Sequence, residues 1–359
     1  MNGYLYTIFA ILPFTVSLVW LAVYVADYRT SHKPRRFLTY WALICTVLYL
    51  CHGRYFVEDG RVDFIMDCIY LFCNLSVYPL FYCYLLILTK DEPVALRAFL
   101  YQIPALIVAV ATYLSHGAPL AIHIARVLFA LEVIMCAVFG LRTLAQFDKE
   151  IKNYYSDTEG KTMTGISVQL VFLVIVAILS FLANLIGRPA FVRSPLIIIP
   201  SLAFSCFLFA IFYVCFKVNF YAKDFRKEAQ DDIPDESPVL EEEGDDTSLE
   251  AKIAAVMDEK KLYLKPGLKI SDVAGAVGSN RTYVSNAINN VARMPFADYV
   301  NTRRIIYAKK LLSESRSDGD PAITSVASEA GFASFPSFYR AFIKYVGMPP
   351  SEWQKGFKS

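Results

Sequence analysis

Charged residues are scarce in this chain. Asp, Glu, Lys and Arg together make up 19% of its 359 residues, whereas 56% are hydrophobic, and the mean hydropathy is +0.41. So low a charge content excludes an ordinary soluble globular protein and indicates membrane-spanning segments. The net charge of +2 averages unlike regions of the chain, so it identifies no partner.

Catalytic and metal-binding signatures are also missing. The sequence contains no His-Glu-x-x-His, Gly-x-Ser-x-Gly or Gly-x-x-x-x-Gly-Lys-Ser/Thr motif. Its four histidines are scattered, and its eight cysteines lie in or beside apolar segments without zinc-like spacing. These absences predict a protein that is not an enzyme and has no catalytic residue, metal site or cofactor. Cys51 and Cys68 are predicted either to remain inert buried thiols or to form a disulfide at the ends of adjacent spans.

Seven apolar runs are long enough, or nearly so, to cross a bilayer, which takes about 20 residues. They lie near residues 4–27, 37–56, 64–88, 98–115, 119–144, 165–187 and 195–217. The loops on one side carry fourteen Lys and Arg residues and those on the other side carry four. Because basic loops stay in the cytoplasm, this bias predicts a multi-pass protein of the inner membrane, with its N-terminus outside and its C-terminus in the cytoplasm.

The composition inverts after the last apolar run. Residues 228–250 include eleven acidic residues and no Lys or Arg, so residues 218–247 are predicted to form a basic juxtamembrane edge followed by a disordered acidic linker. Residues 251–359 carry sixteen Lys and Arg against nine Asp and Glu, a net charge of +7, which favours nucleic-acid binding. We expect this soluble domain to cover residues 248–359, with Ser248 capping a first helix at 249–263.

The acidic linker has two interpretations. It is either a solvated tether, or a competitor that occupies the basic face of the soluble domain in place of DNA. The second interpretation depends on the densest acidic cluster, which comprises Glu241, Glu242, Glu243, Asp245 and Asp246.

Two stretches of the soluble domain have the pattern of a short helix, a tight turn and a second helix. The first places a glycine-terminated segment, 270–278, before a Ser/Asn-capped segment, 279–290. The second repeats this order with 323–332 and 334–347. This is the geometry that places one helix of each unit in a DNA major groove.

Residues 330–342 and 347–353, with 280–285 and 296–305, resemble the AraC/XylS family of transcription regulators. The resemblance covers about the last hundred residues. It implies a tandem helix-turn-helix domain that binds double-stranded promoter DNA, and many members of that family are dimers. One departure is Arg293, at a position where the family usually has a glycine that ends the first reading helix in a left-handed conformation.

Helical periodicity divides both reading helices into a buried and a polar face. In the second, Phe338, Ala341, Phe342 and Tyr345 recur at i, i+3, i+4 and i+7. Side chains able to read base edges lie on the other faces; these candidates are Thr282, Ser285, Asn286, Asn289, Phe335, Pro336, Ser337 and Arg340. Candidates for phosphate contacts are Arg281, Tyr283, Lys309, Lys310 and Lys344. A merely solvated polar face is the alternative for either helix alone; two such helices at this spacing favour DNA.

Ionisable residues inside apolar runs mark functional candidates in the membrane part, because burying them in lipid is costly. They predict a polar sensor pocket formed by Arg54, Asp67, His123, Arg126 and Glu132. The alternative is a set of structural ion pairs and snorkelling side chains.

The sequence therefore predicts an all-α protein: a seven-transmembrane-helix bundle followed by a soluble AraC-type domain. Its predicted function is that of a one-component regulator, which senses a small-molecule or membrane-derived signal in the bilayer and binds promoter DNA. The alternative is a membrane receptor or transporter whose C-terminal domain docks a protein partner. Whether the protein is a homodimer is left open.

Overall fold

The computed structural model describes residues 3–57, 64–186, 198–218, 220–231, 246–314 and 323–358. Within these ranges the regular structure is helical, as predicted, apart from one isolated bridge between Tyr155 and Lys269. The chain divides into two compact units. Residues 1–146 and 163–223 form the first unit, and residues 147–162 and 224–359 form the second.

Seven long helices occupy the seven predicted apolar runs. They are α1 (Gly3–Asp27), α2 (Lys33–Val57), α3 (Phe64–Lys90), α4 (Ala95–Leu114), α5 (Pro119–Tyr154), α6 (Thr164–Ile186) and α7 (Ile198–Lys217). Six of them, all except α2, are long and apolar enough to cross a membrane by length and composition. Basic residues flank the uncharged part of α2, which runs for only 17 residues from 37 to 53. A seventh crossing therefore stays a prediction.

Aromatic side chains and their polar tips join the helices of the first unit. The Trp41 indole N–H on α2 donates to the carbonyl of Val77 on α3 at 3.0 Å. The Tyr24 hydroxyl on α1 donates to the carbonyl of Phe212 on α7 at 2.8 Å. Trp41 also packs on the ring of Phe212, with ring centroids 5.1 Å apart. These buried groups satisfy their hydrogen bonds within the helix bundle, as an apolar environment requires.

The outer faces of α4, α5 and α6 are apolar. Large aliphatic and aromatic side chains on these faces are exposed, among them Phe99, Ile107, Val127, Ile134 and Leu179. Faces of this extent are too large for contact with water and are typical of helices that face lipid. No disulfide bond joins Cys51 and Cys68.

The second unit carries the remaining helices. After α8 (Ala222–Asp231), which crosses the boundary between the units, come α9 (Asp246–Glu259), α10 (Ile270–Val277), α11 (Arg281–Ala287), α12 (Phe296–Glu314), α13 (Ile323–Glu329), α14 (Phe335–Val346) and α15 (Pro350–Lys358). The predicted helix 249–263 is wrong at both ends. The helix α9 already includes Ser248, which therefore does not cap it. It ends at Glu259, before Lys261, whose φ of +49° breaks the helix.

Left-handed residues end the helices of both helix-turn-helix units. Gly278 (φ +69°) ends α10 and Gly347 (φ +85°) ends α14, as the sequence predicts. The first reading helix, α11, continues as a π-helical turn from Ile288 to Ala292 and ends at Arg293, with φ +54°. A non-glycine residue thus takes the left-handed cap that the family resemblance assigns to glycine.

Side-chain caps begin both reading helices. The Asn280 side chain accepts a hydrogen bond from the N–H of Tyr283 at 2.9 Å, and the Ser334 hydroxyl accepts one from the N–H of Ser337 at 3.2 Å. Phe338 and Phe342, with ring centroids 5.5 Å apart, are fully buried in a core that also includes Val326, Phe332 and Leu312. Caps and core together fix which face of each helix remains free.

Candidate nucleic-acid interface

The first reading helix, α11, presents its polar face to solvent. Val284 is fully buried, whereas Thr282 and Asn286 are exposed. Ser285 and Asn289 are half-buried, and the Asn289 amide donates to the Ser285 hydroxyl at 3.1 Å. The four predicted base-reading side chains of this unit therefore lie on the accessible side of the helix, where amide and hydroxyl groups can meet base edges.

The second reading helix, α14, is arranged in the same way. Phe335, Pro336 and Arg340 are exposed and Ser337 is half-buried, while the opposite side of the helix packs into the aromatic core. We call these four residues the second reading face. Its hydroxyl and guanidinium donors lie within the first two turns of α14, at the end where a helix N-terminus favours an anion.

A loop between α5 and α6 contacts the second reading face. The Glu159 carboxylate accepts hydrogen bonds from the Ser337 hydroxyl at 2.7 Å and from the hydroxyl of the cap residue Ser334, and it pairs with the Arg340 guanidinium at 3.0 Å. The Ser337 hydroxyl also lies 3.3 Å from an Asp157 carboxylate oxygen. Two predicted base-reading residues are thus bonded to a carboxylate of the same chain.

The three donors around Glu159 stabilise the ionised form of its carboxyl group. Hydrogen bonds from Ser334, Ser337 and Arg340 lower the pKa of the Glu159 carboxyl to about 2. A carboxyl group that is bonded by donors in its charged form stays ionised well below its usual pKa. Glu159 therefore presents a full negative charge to the second reading face at any physiological pH.

The start of this loop is fixed to the second unit through Ser156, which is buried. Its N–H donates to the Leu268 carbonyl at 2.9 Å. Its hydroxyl accepts from the Arg304 guanidinium at 3.3 Å, and its carbonyl accepts from the Asn301 amide at 3.4 Å. The residue before it, Tyr155, is also buried. Glu159 is consequently held close to α14 by a bonded anchor three residues away.

Most of the predicted phosphate-binding side chains have a partner within the second unit. Two of them form ion pairs: Lys344 with Asp298 at 2.7 Å and Lys310 with Glu314 at 3.7 Å. The Arg281 guanidinium donates to the Ala229 carbonyl at 2.7 Å. The Lys309 ammonium lies 5.5 Å from the centre of the Trp353 ring. Tyr283 is exposed. Surface ion pairs are weak, so Lys344 and Lys310 are able to exchange their carboxylate partners for a phosphate.

Comparison with known proteins assigns this region. Residues 273–356 match a family model described as a helix-turn-helix domain. The chain is 38% identical over 88 residues to the melibiose operon regulatory protein of Escherichia coli (strain K12), a stretch that covers 24% of this chain and 28% of the relative. Residues 273–356 form an AraC-type helix-turn-helix domain. The domain is a DNA-binding module of transcription regulators.

A second relative extends the match slightly. An uncharacterised HTH-type transcriptional regulator of Staphylococcus aureus (strain MSSA476) is 28% identical over 103 residues, which cover 29% of this chain and 13% of that protein. The chain thus spans little more than a quarter of the length of the Escherichia coli relative and less of the other. No solved structure is significantly similar to the chain. The likeness therefore concerns the AraC-type domain alone.

The residues that contact the second reading face were not among the predicted site residues. Ser156, Asp157 and Glu159 lie in a loop whose only contribution to the sequence-based predictions is its Lys and Arg residues, which bear on the orientation in the membrane. The one available signal was the spacing of two carboxylates, Asp157 and Glu159, within a short polar segment between two apolar runs. In the acidic linker, Glu241, Glu242, Glu243 and Asp245 lie outside the described residues, and Asp246 accepts a hydrogen bond from the Asn290 amide at 2.8 Å. Competition by the linker stays a prediction.

The first unit contains a cavity of about 420 Å³ among α1, α2, α3, α5, α6 and α7. Its lining is mainly apolar and aromatic, and among the residues that the structure describes it includes no Asp, Glu, Lys or Arg. The polar groups that face it belong to a few side chains: Tyr49, His52, Tyr70, Asn74 and Tyr78, with Ser180 and Ser201. A mostly apolar cavity with a few polar groups is the usual form of a small-molecule site.

None of the five residues of the predicted sensor pocket lines this cavity. Arg54 and His123 are exposed, and Asp67, Arg126 and Glu132 are half-buried. Among the described residues, one buried carboxyl oxygen of Glu132 has no hydrogen-bond partner. The predicted pocket and the cavity are therefore two separate candidates for a signal site.

Proposed function

We propose that this chain is a membrane-anchored, sequence-specific DNA-binding transcription regulator. The observation that carries the proposal is the presence on one chain of an AraC-type domain and six helices that are long and apolar enough to cross a membrane. The domain binds promoter DNA in the cytoplasm, and the helices hold it at the inner face of the inner membrane, with the N-terminus outside. A signal received by the membrane helices controls transcription.

In this function the two reading helices have the same task in successive major grooves. Thr282, Ser285, Asn286 and Asn289 read one group of bases, and the second reading face reads the other, with Arg340 suited to a guanine. Basic side chains at the edges position the domain on phosphates without specifying sequence. The exposed and weakly paired state of Lys310 and Lys344 supports this role.

The function is tested by DNA binding of the full-length protein in lipid nanodiscs. Chromatin capture from cells that express it identifies bound duplexes, and fluorescence anisotropy then measures the affinity for one of them. We expect binding that weakens steeply as salt is raised, because neutralised phosphates release counterions. Absence of binding even in dilute buffer contradicts the proposal and favours a domain that docks a protein partner.

The orientation needs its own experiment. Fusing alkaline phosphatase or green fluorescent protein after residue 359 distinguishes the two sides of the membrane, because the first is active only outside the cytoplasm and the second fluoresces only inside. We expect a fluorescent, phosphatase-inactive C-terminus. A phosphatase-active fusion at this position contradicts the proposed topology.

We propose the cavity of the first unit as the site of the signal. The described residues of its lining are mainly apolar and aromatic and offer no counter-ion for a charged molecule, so we expect a ligand that is small, uncharged and largely apolar. One hydrogen-bonding group of such a ligand can reach His52 or Asn74. A volume of about 420 Å³ falls within the usual range of small-molecule sites.

Substitutions separate this cavity from the predicted pocket of ionisable residues. Ala10→Phe on α1 narrows the cavity, whereas Glu132→Gln and Arg126→Gln alter the pocket. If the cavity receives the signal, Ala10→Phe abolishes the response of a reporter gene and the two Gln variants keep it. The reverse result assigns the signal to the pocket. Membrane abundance of each variant serves as the control for folding.

A further inference from the structure

The second reading face is bonded to an acidic loop of its own chain. Three donors that face outward from the start of α14, on Ser334, Ser337 and Arg340, all meet the single carboxylate of Glu159. In a DNA complex, donors at these positions would meet phosphate oxygens or base acceptors. A carboxylate at the N-terminus of this 12-residue helix supplies the same chemistry, a negative charge and hydrogen-bond acceptors.

We propose that loop 155–162 is a built-in competitor of DNA, which holds the second helix-turn-helix unit in a closed state until it is displaced. The inference rests on the proposed function, because it concerns how the DNA-binding face is regulated. Glu159 and DNA cannot occupy Ser337 and Arg340 together, so a duplex that engages the second reading face must first release the loop.

The anchor at Ser156 makes the competitor effective. Three hydrogen bonds hold Ser156, to Leu268, Asn301 and Arg304. An acidic group tethered so closely acts at a high effective concentration, so individually weak contacts are enough to compete with DNA.

The connection of the loop explains how a signal can act on it. Loop 155–162 directly joins α5 to α6, and both helices contribute to the lining of the cavity through Phe129 and Leu173. A ligand that binds more tightly when the loop is released shifts the closed state toward the open one, by no more than its difference in affinity for the two states.

The competition leaves the first reading helix, α11, accessible. Thr282 and Asn286 on α11 are exposed, while the second reading face is bonded to Glu159. The closed protein is therefore expected to contact one half of its binding site and to need loop release for the other half. This predicts a shorter protected stretch of DNA for the closed state than for the open one.

The test uses the full-length protein in nanodiscs and a duplex recovered by chromatin capture. Glu159→Ala removes the competitor, and Glu159→Gln keeps its shape without its charge. Because the contacts are partly exposed and there are three of them, we expect about a three- to tenfold gain in affinity, with DNase protection extended toward the second half-site. The matched control is Glu329→Gln. Glu329 is an exposed residue of α13, so this substitution removes one negative charge from the same helix-turn-helix unit.

Hydrogen exchange gives an independent readout in the unaltered protein. Addition of the duplex is expected to speed exchange of the amides of residues 156–162 while it slows exchange in α14. Equal affinities of the Glu159 variants and the Glu329→Gln control, or unchanged exchange in the loop on DNA binding, would overturn the competitor. Loss of DNA binding by every variant and by the wild type instead overturns the proposed function, so the two failures are distinct.

Discussion

Two glycines with the same backbone conformation allow one contact of the AraC-type domain to be measured by itself. Gly331 follows α13 with φ +82°, and Gly347 ends α14 with φ +85°. A Cβ atom added at Gly331 would lie 2.6 Å from the carbonyl oxygen of Leu264, whereas one added at Gly347 would meet no atom within 4 Å. Alanine at either position bears the cost of a left-handed residue, about 1–2 kcal/mol, but only Gly331→Ala also forces the backbone at Leu264 to move.

Overpacking of a well-packed site costs about a further 1–3 kcal/mol. Gly331→Ala is therefore expected to lower the free energy of unfolding by about 2–5 kcal/mol, and Gly347→Ala by about 1–2 kcal/mol. The assay is limited proteolysis of the full-length protein across a urea series, read with an antibody to a C-terminal tag. Equal urea midpoints for the two variants would refute the reasoning, since the close approach to Leu264 is the difference on which the prediction depends.

Three further predictions concern the charged and polar groups of the same unit. Arg304 is 1% exposed and donates to the carbonyls of Tyr263 at 2.6 Å and Lys265 at 2.8 Å. Arg304→Met leaves these acceptors unpaired and should lower the free energy of unfolding by about 2–4 kcal/mol in the same proteolysis assay. The control Lys310→Met, on the exposed side of α12, should change it by less than about 0.5 kcal/mol. Similar losses for both variants would contradict a structural role for Arg304. The pKa of Glu159 is depressed from 4.5 to about 2, so its contribution to the closed state is complete above pH 4.5 and is lost as the pH falls toward 2. The ratio of DNA affinities between Glu159→Gln and the wild type should then be the same at pH 6 and pH 8, and a ratio that changes across this range disagrees with a carboxylate that is already ionised. Asn286→Ala should reduce the difference in binding free energy between matched and mismatched duplexes at one base pair by about 1–3 kcal/mol, with an unchanged salt dependence. Lys309→Ala should weaken binding to all sequences and lower the slope of log affinity against log salt concentration by about 1. Anisotropy titrations on matched duplexes distinguish the two outcomes.

Local signals in the sequence predict much of this fold. Asn280 and Ser334 cap the two reading helices, and Gly278 and Gly347 end α10 and α14, where the sequence places them. These features depend on residues within one turn of each other, so their energetics can be read directly from spacing. The buried stripe of α14 follows from its 3.6-residue period in the same way.

Other features depend on contacts between distant residues, which spacing does not reveal. Glu159 and Ser334 are 175 residues apart, and nothing in either local sequence indicates that they meet. The residues predicted to read bases are accessible on α11, whereas on α14 two of them, Ser337 and Arg340, are bonded to the loop. The sequence identifies these candidates but not their resting partners. The cavity of the first unit combines six helices, and the ionisable residues predicted to form a sensor pocket do not line it.

The central claim is that one protein both stays in the membrane and holds promoter DNA. Chromatin capture from cross-linked cells, with membranes separated before DNA recovery, measures both properties together. The account predicts that specific DNA fragments accompany the full-length protein in the membrane fraction and that the double substitution Asn286→Ala and Arg340→Ala abolishes their enrichment. Fragments that are recovered equally with the double variant, or that appear only in the soluble fraction, would contradict it.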